Sequence, residues 1–135
     1  MQKPVILTHG GAGTWQPERR KGGLLGVKAA AKAGYNLLKS GETALDAVEA
    51  AVRSMEDNPV FNAGLGSTLT IDKRIEMEAS IMDGKTLNAG ATGLLTDIKN
   101  PVKLARITME NTDYVFIVGN GAEKLAQTFK LPRRN

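Results

Sequence analysis

The chain has 135 residues, 41% of them apolar and only 4% aromatic, so one compact domain over residues 1–135 is expected, with a core of Ala, Val, Leu and Ile. There is no cysteine, which excludes a disulfide framework, a thiolate metal site and a Cys nucleophile from these residues. The net charge of +4 is modest, the longest basic run is Arg19-Arg20-Lys21, and no apolar stretch approaches the about 18 residues that span a membrane. No nucleic-acid or membrane partner is expected, and Met1-Gln2-Lys3-Pro4 does not read as a signal peptide, so a cytoplasmic location is expected.

Val5 to Thr8 is a short β-rich run predicting a buried strand, which opens into the turn His9-Gly10-Gly11-Ala12-Gly13. A helix is predicted from about Glu18 to Lys39, with Leu24, Leu25, Lys28, Ala31, Lys32, Tyr35 and Leu38 alternating apolar and basic faces before the stop at Ser40-Gly41. A second helix begins at Thr43, where Asp46 replaces the usual Glu of a capping box. Its apolar stripe is Ala44, Val48, Ala51, Val52 and Met55, and Asn58-Pro59 breaks it.

Beyond a loop from Phe61 to Gly66, Ser67–Ile71 and Ile75–Met82 are predicted as two strands joined at Asp72-Lys73-Arg74. In the second, Ile75, Met77, Ala79 and Ile81 alternate with Glu76, Glu78 and Ser80. Asp83-Gly84 signals a turn, Ala89–Thr96 a small-residue strand, and Asn100-Pro101 the start of a helix through Met109. Tyr114–Val118 is expected as a buried strand and Gly121–Lys130 as a final helix, leaving Leu131–Asn135 without an element of its own, the start of a linker. The order β-α-α-β-β-β-α-β-α, with its strands in an antiparallel-looking run, predicts an α+β fold over a doubly wound parallel sheet.

The glycine-rich turn at residues 9–13 is open to three readings: a nucleotide loop, an oxyanion loop, or a tight turn capped by His9. The dinucleotide fingerprint lacks its third glycine, since Gln16 stands there, and no Gly-x-Ser-x-Gly follows an oxyanion loop. Asp83-Gly84-Lys85-Thr86 fails as a phosphate loop because Ala79 stands where its first glycine belongs. Glu76 and Glu78 have the spacing of a carboxylate pair but read as a solvated strand face, and Thr92 as a strand residue. No hydroxyl nucleophile has a base at hand, because His9 is the only histidine.

Taken in order, the segments from His9 to Gly13, Ser40 to Glu49, Asn58 to Ser67, Glu76 to Gly84, Ala89 to Ala91, Asn100 to Arg106 and Gly121 to Glu123 resemble the plant-type L-asparaginase/isoaspartyl aminopeptidase family of N-terminal-nucleophile hydrolases. The resemblance implies an αββα sandwich in which this chain is the N-terminal half, the α-subunit, sharing its sheets with a β-subunit cut from the same precursor. It implies a threonine nucleophile on that β-subunit, beyond Asn135, whose freed α-amine acts as its base. The substrate would be a small molecule, L-asparagine or a β-aspartyl dipeptide, and αβ units would pair into a dimer. No cofactor would serve catalysis. A structural sodium ion would sit on the main-chain carbonyls of Met55, Glu56, Asn58, Phe61, Ala63 and Leu65, and Gly10 and Asn62 would line the active-site region in a supporting role. The related glycosylasparaginase branch and a free-standing phosphate-binding module using the turn from Gly10 to Gly13 are the alternatives.

Overall fold

The computed structural model describes residues 3–134. Helix α1 (Pro17–Ser40) opens with Pro17 in its first turn and ends at Gly41, whose φ of 90° lets its own N–H and that of Glu42 close back on Leu38 and Leu37. Helix α2 (Ala44–Glu56) has the predicted capping box. Thr43 Oγ1 accepts from the Asp46 N–H, and the Asp46 carboxylate accepts from the Thr43 N–H, both at 3.1 Å. The Thr43 hydroxyl also donates to the Asp46 carboxylate, and this bond, with those from Arg106 and the Thr43 N–H, holds the Asp46 carboxyl below the ordinary carboxylate range.

The packing faces of this helix pair differ from the predicted ones. In α1 the buried residues are Gly23, Gly26, Ala30 and Gly34, while Leu24 and Leu25 are more than half exposed. In α2 they are Ala47, Ala51 and Glu56, with Val48 turned outward. Small residues win because they let the backbones approach: a Cβ on Gly34 would lie 2.5 Å from the Ala47 carbonyl oxygen.

Strands β1 (Met77–Met82) and β2 (Ala89–Leu95) pair antiparallel around the Asp83–Asn88 turn, where Asp83 accepts from the Lys85 N–H and from the Thr86 hydroxyl. Met77 and Ile81 are buried and Glu78, Ser80 and Met82 exposed, as the alternation requires. Helix α3 (Pro101–Asn111) then crosses over, so that strand β3 (Phe116–Val118) pairs parallel to β2, in the order β1-β2-β3. The α+β class stands, although the strands are not one antiparallel run. Helix α4 (Gly119–Thr128) packs beside α3, and Met77, Leu95, Ile98, Leu104, Ala122, Ala126 and Leu131 form the core between helices and sheet.

Three local expectations are corrected. Residues 5–8 form no strand: Ile6 rests against Gly34 and Thr8 donates to the Val27 carbonyl, but no described residue pairs with their backbone, and Val5 and Leu7 are exposed. Ser67–Ile71 makes only an isolated bridge, Leu69 to Ile75, because Thr70, Lys73 and Arg74 close a tight turn with Lys73 at φ 59°. The third strand is not buried, since Phe116 is 60% exposed at the sheet edge. Leu131 to Arg134 form no helix or strand, as expected, but they are packed: Leu131 is buried, Arg133 bridges to Ile98, and its guanidinium binds Asp97 and Glu123. Asn135 lies outside the described residues.

Candidate active site region

The turn after residue 8 is held by His9, whose Nδ1 accepts the Gly11 N–H at 3.2 Å while Gly11 takes φ 101°. This is the capped-turn reading of the motif. Gly10 has a more specific role. A Cβ there would lie 2.8 Å from Val27 and 3.0 Å from the Phe61 ring, so the missing side chain is what lets the turn close on the loop after α2.

That loop is fixed from several sides. Asn58 Oδ1 accepts the Val60 N–H at 3.1 Å, and the Phe61 ring is buried against Gly10 and Gly26, edge-on to Trp15 with centroids 6.0 Å apart. Turn and loop enclose a cleft of about 440 Å³ whose wall includes His9, Gly10, Trp15, Arg19 and Asn62. The two expected supporting residues, Gly10 and Asn62, therefore line one cavity. A second cleft of about 280 Å³, with Glu56, Ser67, Thr68, Glu76 and Glu78, shares Asn62 and Ala63 with the first.

Asn62 stands on the wall between them. Its Oδ1 accepts the Thr68 N–H at 2.8 Å and the Thr68 hydroxyl at 3.1 Å, which fixes the amide plane. Its amide nitrogen has no acceptor among the described residues, leaving two N–H donors for a ligand carbonyl or oxyanion. Glu76 and Glu78 are exposed, and Thr92 is a buried strand residue on β2.

The asparaginase family model matches residues 2–135. The chain belongs to that family. Among its relatives it is 53% identical over 129 residues to a plant-type L-asparaginase of Pyrococcus abyssi, covering 95% of this chain and 42% of that protein. It is 51% identical over 130 residues to an isoaspartyl peptidase/L-asparaginase of Rattus norvegicus, covering 96% of this chain and 39% of the relative. The chain thus spans about two fifths of the length of the curated relatives it matches. Among the described residues no helix is long and apolar enough to cross a membrane.

The segment in which the family resemblance implies a cation is built on close backbone approaches. A Cβ on Gly64 would lie 2.3 Å from the Glu56 carbonyl oxygen, and one on Gly66 would lie 2.1 Å from that of Phe61. The two glycines therefore fold the loop back onto two of the six expected carbonyls. Those of Met55, Asn58 and Ala63 accept the N–H groups of Asn58, Phe61 and Gly66, and each keeps a second lone pair. Backbone carbonyl oxygen is the donor type that a hard cation takes.

One residue stands out by its side chain, which the sequence reading passed over. Glu56 is 3% exposed. Its Oε1 accepts the Val102 N–H at 2.9 Å in the first turn of α3, and Oε2 has no partner. Burial pushes its carboxyl up to about 7, against the opposing hydrogen bond from Val102. The sequence carried no signal for this, because Asn100 stands at the N-cap position; only the structure shows that its side chain makes no cap and that its amide donates to Asp57 instead, so the free N–H groups of the first turn take an acceptor from elsewhere.

Proposed function

We propose that this chain is the α part of a two-part amidohydrolase that releases aspartate from L-asparagine, from β-aspartyl dipeptides, or from both. The observation that carries this reading is the 51–53% identity to the two named relatives across nearly the whole chain. The geometry agrees with a shared site. Among the described residues the only imidazole already accepts a backbone N–H, and no serine or threonine hydroxyl is paired with it.

In this reading a threonine on the β part, freed at its N-terminus by autoproteolysis, attacks the substrate's amide carbonyl with its own α-amine as base. An acyl-enzyme forms, ammonia or the amino component leaves, and water releases aspartate. This chain's part is to wall the site with the turn at Gly10 and to present the Asn62 amide donors from a fixed plane. The carbonyls of Met55, Glu56, Asn58, Phe61, Ala63 and Leu65 would hold a sodium ion, whose charge would stiffen the loop that carries Asn62.

The sheet supports an αββα sandwich completed by the β part. Helices α3 and α4 cover one face, whereas Met82, Phe116 and Val118 stand exposed, and Val5 and Leu7 project from an unpaired segment. Such apolar exposure is what a second layer of sheet would bury. The αβ units would assemble as a dimer.

The test is to express the full-length protein and record its denaturing intact mass beside aspartate release from L-asparagine, a β-aspartyl dipeptide and a glycosylated asparagine. Two polypeptides, one beginning with threonine, and turnover of either of the first two substrates are expected. Preference for the glycosylated substrate would move the protein to the glycosylasparaginase branch. An uncut chain inert toward all three would overturn the reading.

A further inference from the structure

The loop at residues 58–61 lies along the first turns of α1, and its polar attachment there is a single side chain. Arg19 Nη2 donates to the Pro59 carbonyl at 3.2 Å and to the Val60 carbonyl at 2.7 Å, bridging 40 and 41 residues of sequence. One and two turns further along the same helix, Gly22 and Gly26 receive the loop's side chains. A Cβ at Gly22 would lie 3.0 Å from Val60 Cγ2, and one at Gly26 would lie 2.5 Å from the Phe61 ring. Arg19, Gly22 and Gly26 follow one helical face, so α1 offers a cationic clamp followed by two notches.

We propose that Arg19 is a positioning residue, one that fixes the peptide planes of Pro59 and Val60 and so sets the direction of the Phe61 carbonyl and the attitude of Asn62. The geometry is specific. The Pro59 carbonyl that Arg19 grips lies beside Gly66, where a Cβ would approach it at 2.6 Å and the Phe61 carbonyl at 2.1 Å. The clamp therefore acts one peptide from an expected cation ligand and two from the amide donors of the cleft. A guanidinium suits the task because the two N–H groups of Nη2 are fixed in its plane and each can serve one carbonyl, whereas the donors of an ammonium rotate freely. Its charge strengthens the bonds to the Pro59 and Val60 carbonyls, neither of which is among the expected cation ligands.

This inference rests on the reading of residues 55–65 as a cation loop, and the experiment separates the two. Full-length wild-type protein, Arg19→Met and Arg19→Lys are melted across a sodium chloride series balanced with choline chloride, and amide hydrogen exchange is followed over residues 59–66. The wild type is expected to gain stability with sodium. Arg19→Met should need about tenfold more sodium for the half-maximal effect, the lower range for losing a charge-assisted hydrogen bond, and exchange faster over residues 59–66. Arg19→Lys should recover part of both. A general loss of stability would lower all melting points without moving the sodium midpoint. A sodium-responsive wild type with an unchanged midpoint and unchanged exchange in Arg19→Met would overturn the role of Arg19. A wild type indifferent to sodium would overturn the cation loop instead, and exchange over residues 59–66 would then decide the clamp: faster in Arg19→Met sustains it, unchanged overturns it.

Discussion

The carboxylate of Glu56, at the C-terminal end of α2, accepts the backbone N–H of Val102 at 2.9 Å across 46 residues of sequence. The last residue of α2 thereby caps α3, and it does so from a buried position with its second oxygen unpartnered among the described residues. The helix N-terminus favours the anion. Burial disfavours it more strongly, and the carboxyl is pushed up to about 7.

A pH dependence follows from that shift. Between the ordinary carboxylate value of 4.5 and about 7, the folded chain holds a proton that the unfolded chain has released. Stability from this group is therefore full below about pH 4.5 and is lost as pH rises through 7, by about 3 kcal/mol in total. Glu56→Gln keeps an acceptor for Val102 and removes the titration. Urea unfolding at pH 5 and pH 8 should show the wild type losing stability relative to the variant. Parallel behaviour of the two proteins would mean that Glu56 is ionised throughout.

Gly26→Ala sets two effects against each other. In a helix interior the change ordinarily gains about 1 kcal/mol in propensity. Here the new methyl would lie 2.5 Å from the buried Phe61 ring and 3.0 Å from Asn58 Nδ2, and overpacking of that kind costs about 1–3 kcal/mol. A net destabilisation is expected, with Phe61→Leu in the same chain recovering part of it. A melting point raised by Gly26→Ala alone would show that the ring can move aside freely.

The features that sequence predicted well are the ones encoded locally. Thr43 and Asp46 are three residues apart, and the alternation from Met77 to Ile81 lies within one strand, so each could be read without knowing the fold. What failed depended on partners far along the chain. Val5–Thr8 has the composition of a strand but finds no ladder among the described residues, and the parallel pairing of β2 with β3 depends on the crossover through α3. On α1 the large apolar residues drew attention, yet Gly23, Gly26, Ala30 and Gly34 make the contact, because close approach selects for small side chains. Gly10 and Asn62 could be singled out only through family resemblance, and the structure adds why they share a wall: Phe61 seats between Gly10 and Gly26.

Arg106 ties α3 to α2. Its guanidinium contacts Asp46 at 2.7 Å, Glu49 at 3.0 Å and Glu110 at 2.8 Å. Burial opposes its charge, but the hydrogen bonds to Glu110, Asp46 and Glu49 outweigh that and hold it above its ordinary value. Arg106→Met leaves three carboxylates facing one another, and a loss of about 1–2 kcal/mol is expected for a partly exposed network. Adding Glu49→Gln should return part of that loss. If the double variant is no more stable than Arg106→Met, the network contributes through packing of the arginine stem and not through charge.

At Asn62 a structural role can be separated from a chemical one, because the two ends of its amide have different surroundings. The oxygen closes the loop onto Thr68, while the nitrogen, on the cleft wall, has no acceptor among the described residues. Asn62→Asp preserves an acceptor for the Thr68 N–H and removes the donor; Asn62→Ala removes both. In the full-length protein, aspartate release should fall about 100-fold in each variant if the donors stabilise developing charge on the substrate, with the melting point lowered mainly in Asn62→Ala. An Asn62→Asp protein that processes and turns over like the wild type would assign Asn62 to loop closure alone and move the search for the donor to the turn at Gly10 or to the other part of the enzyme.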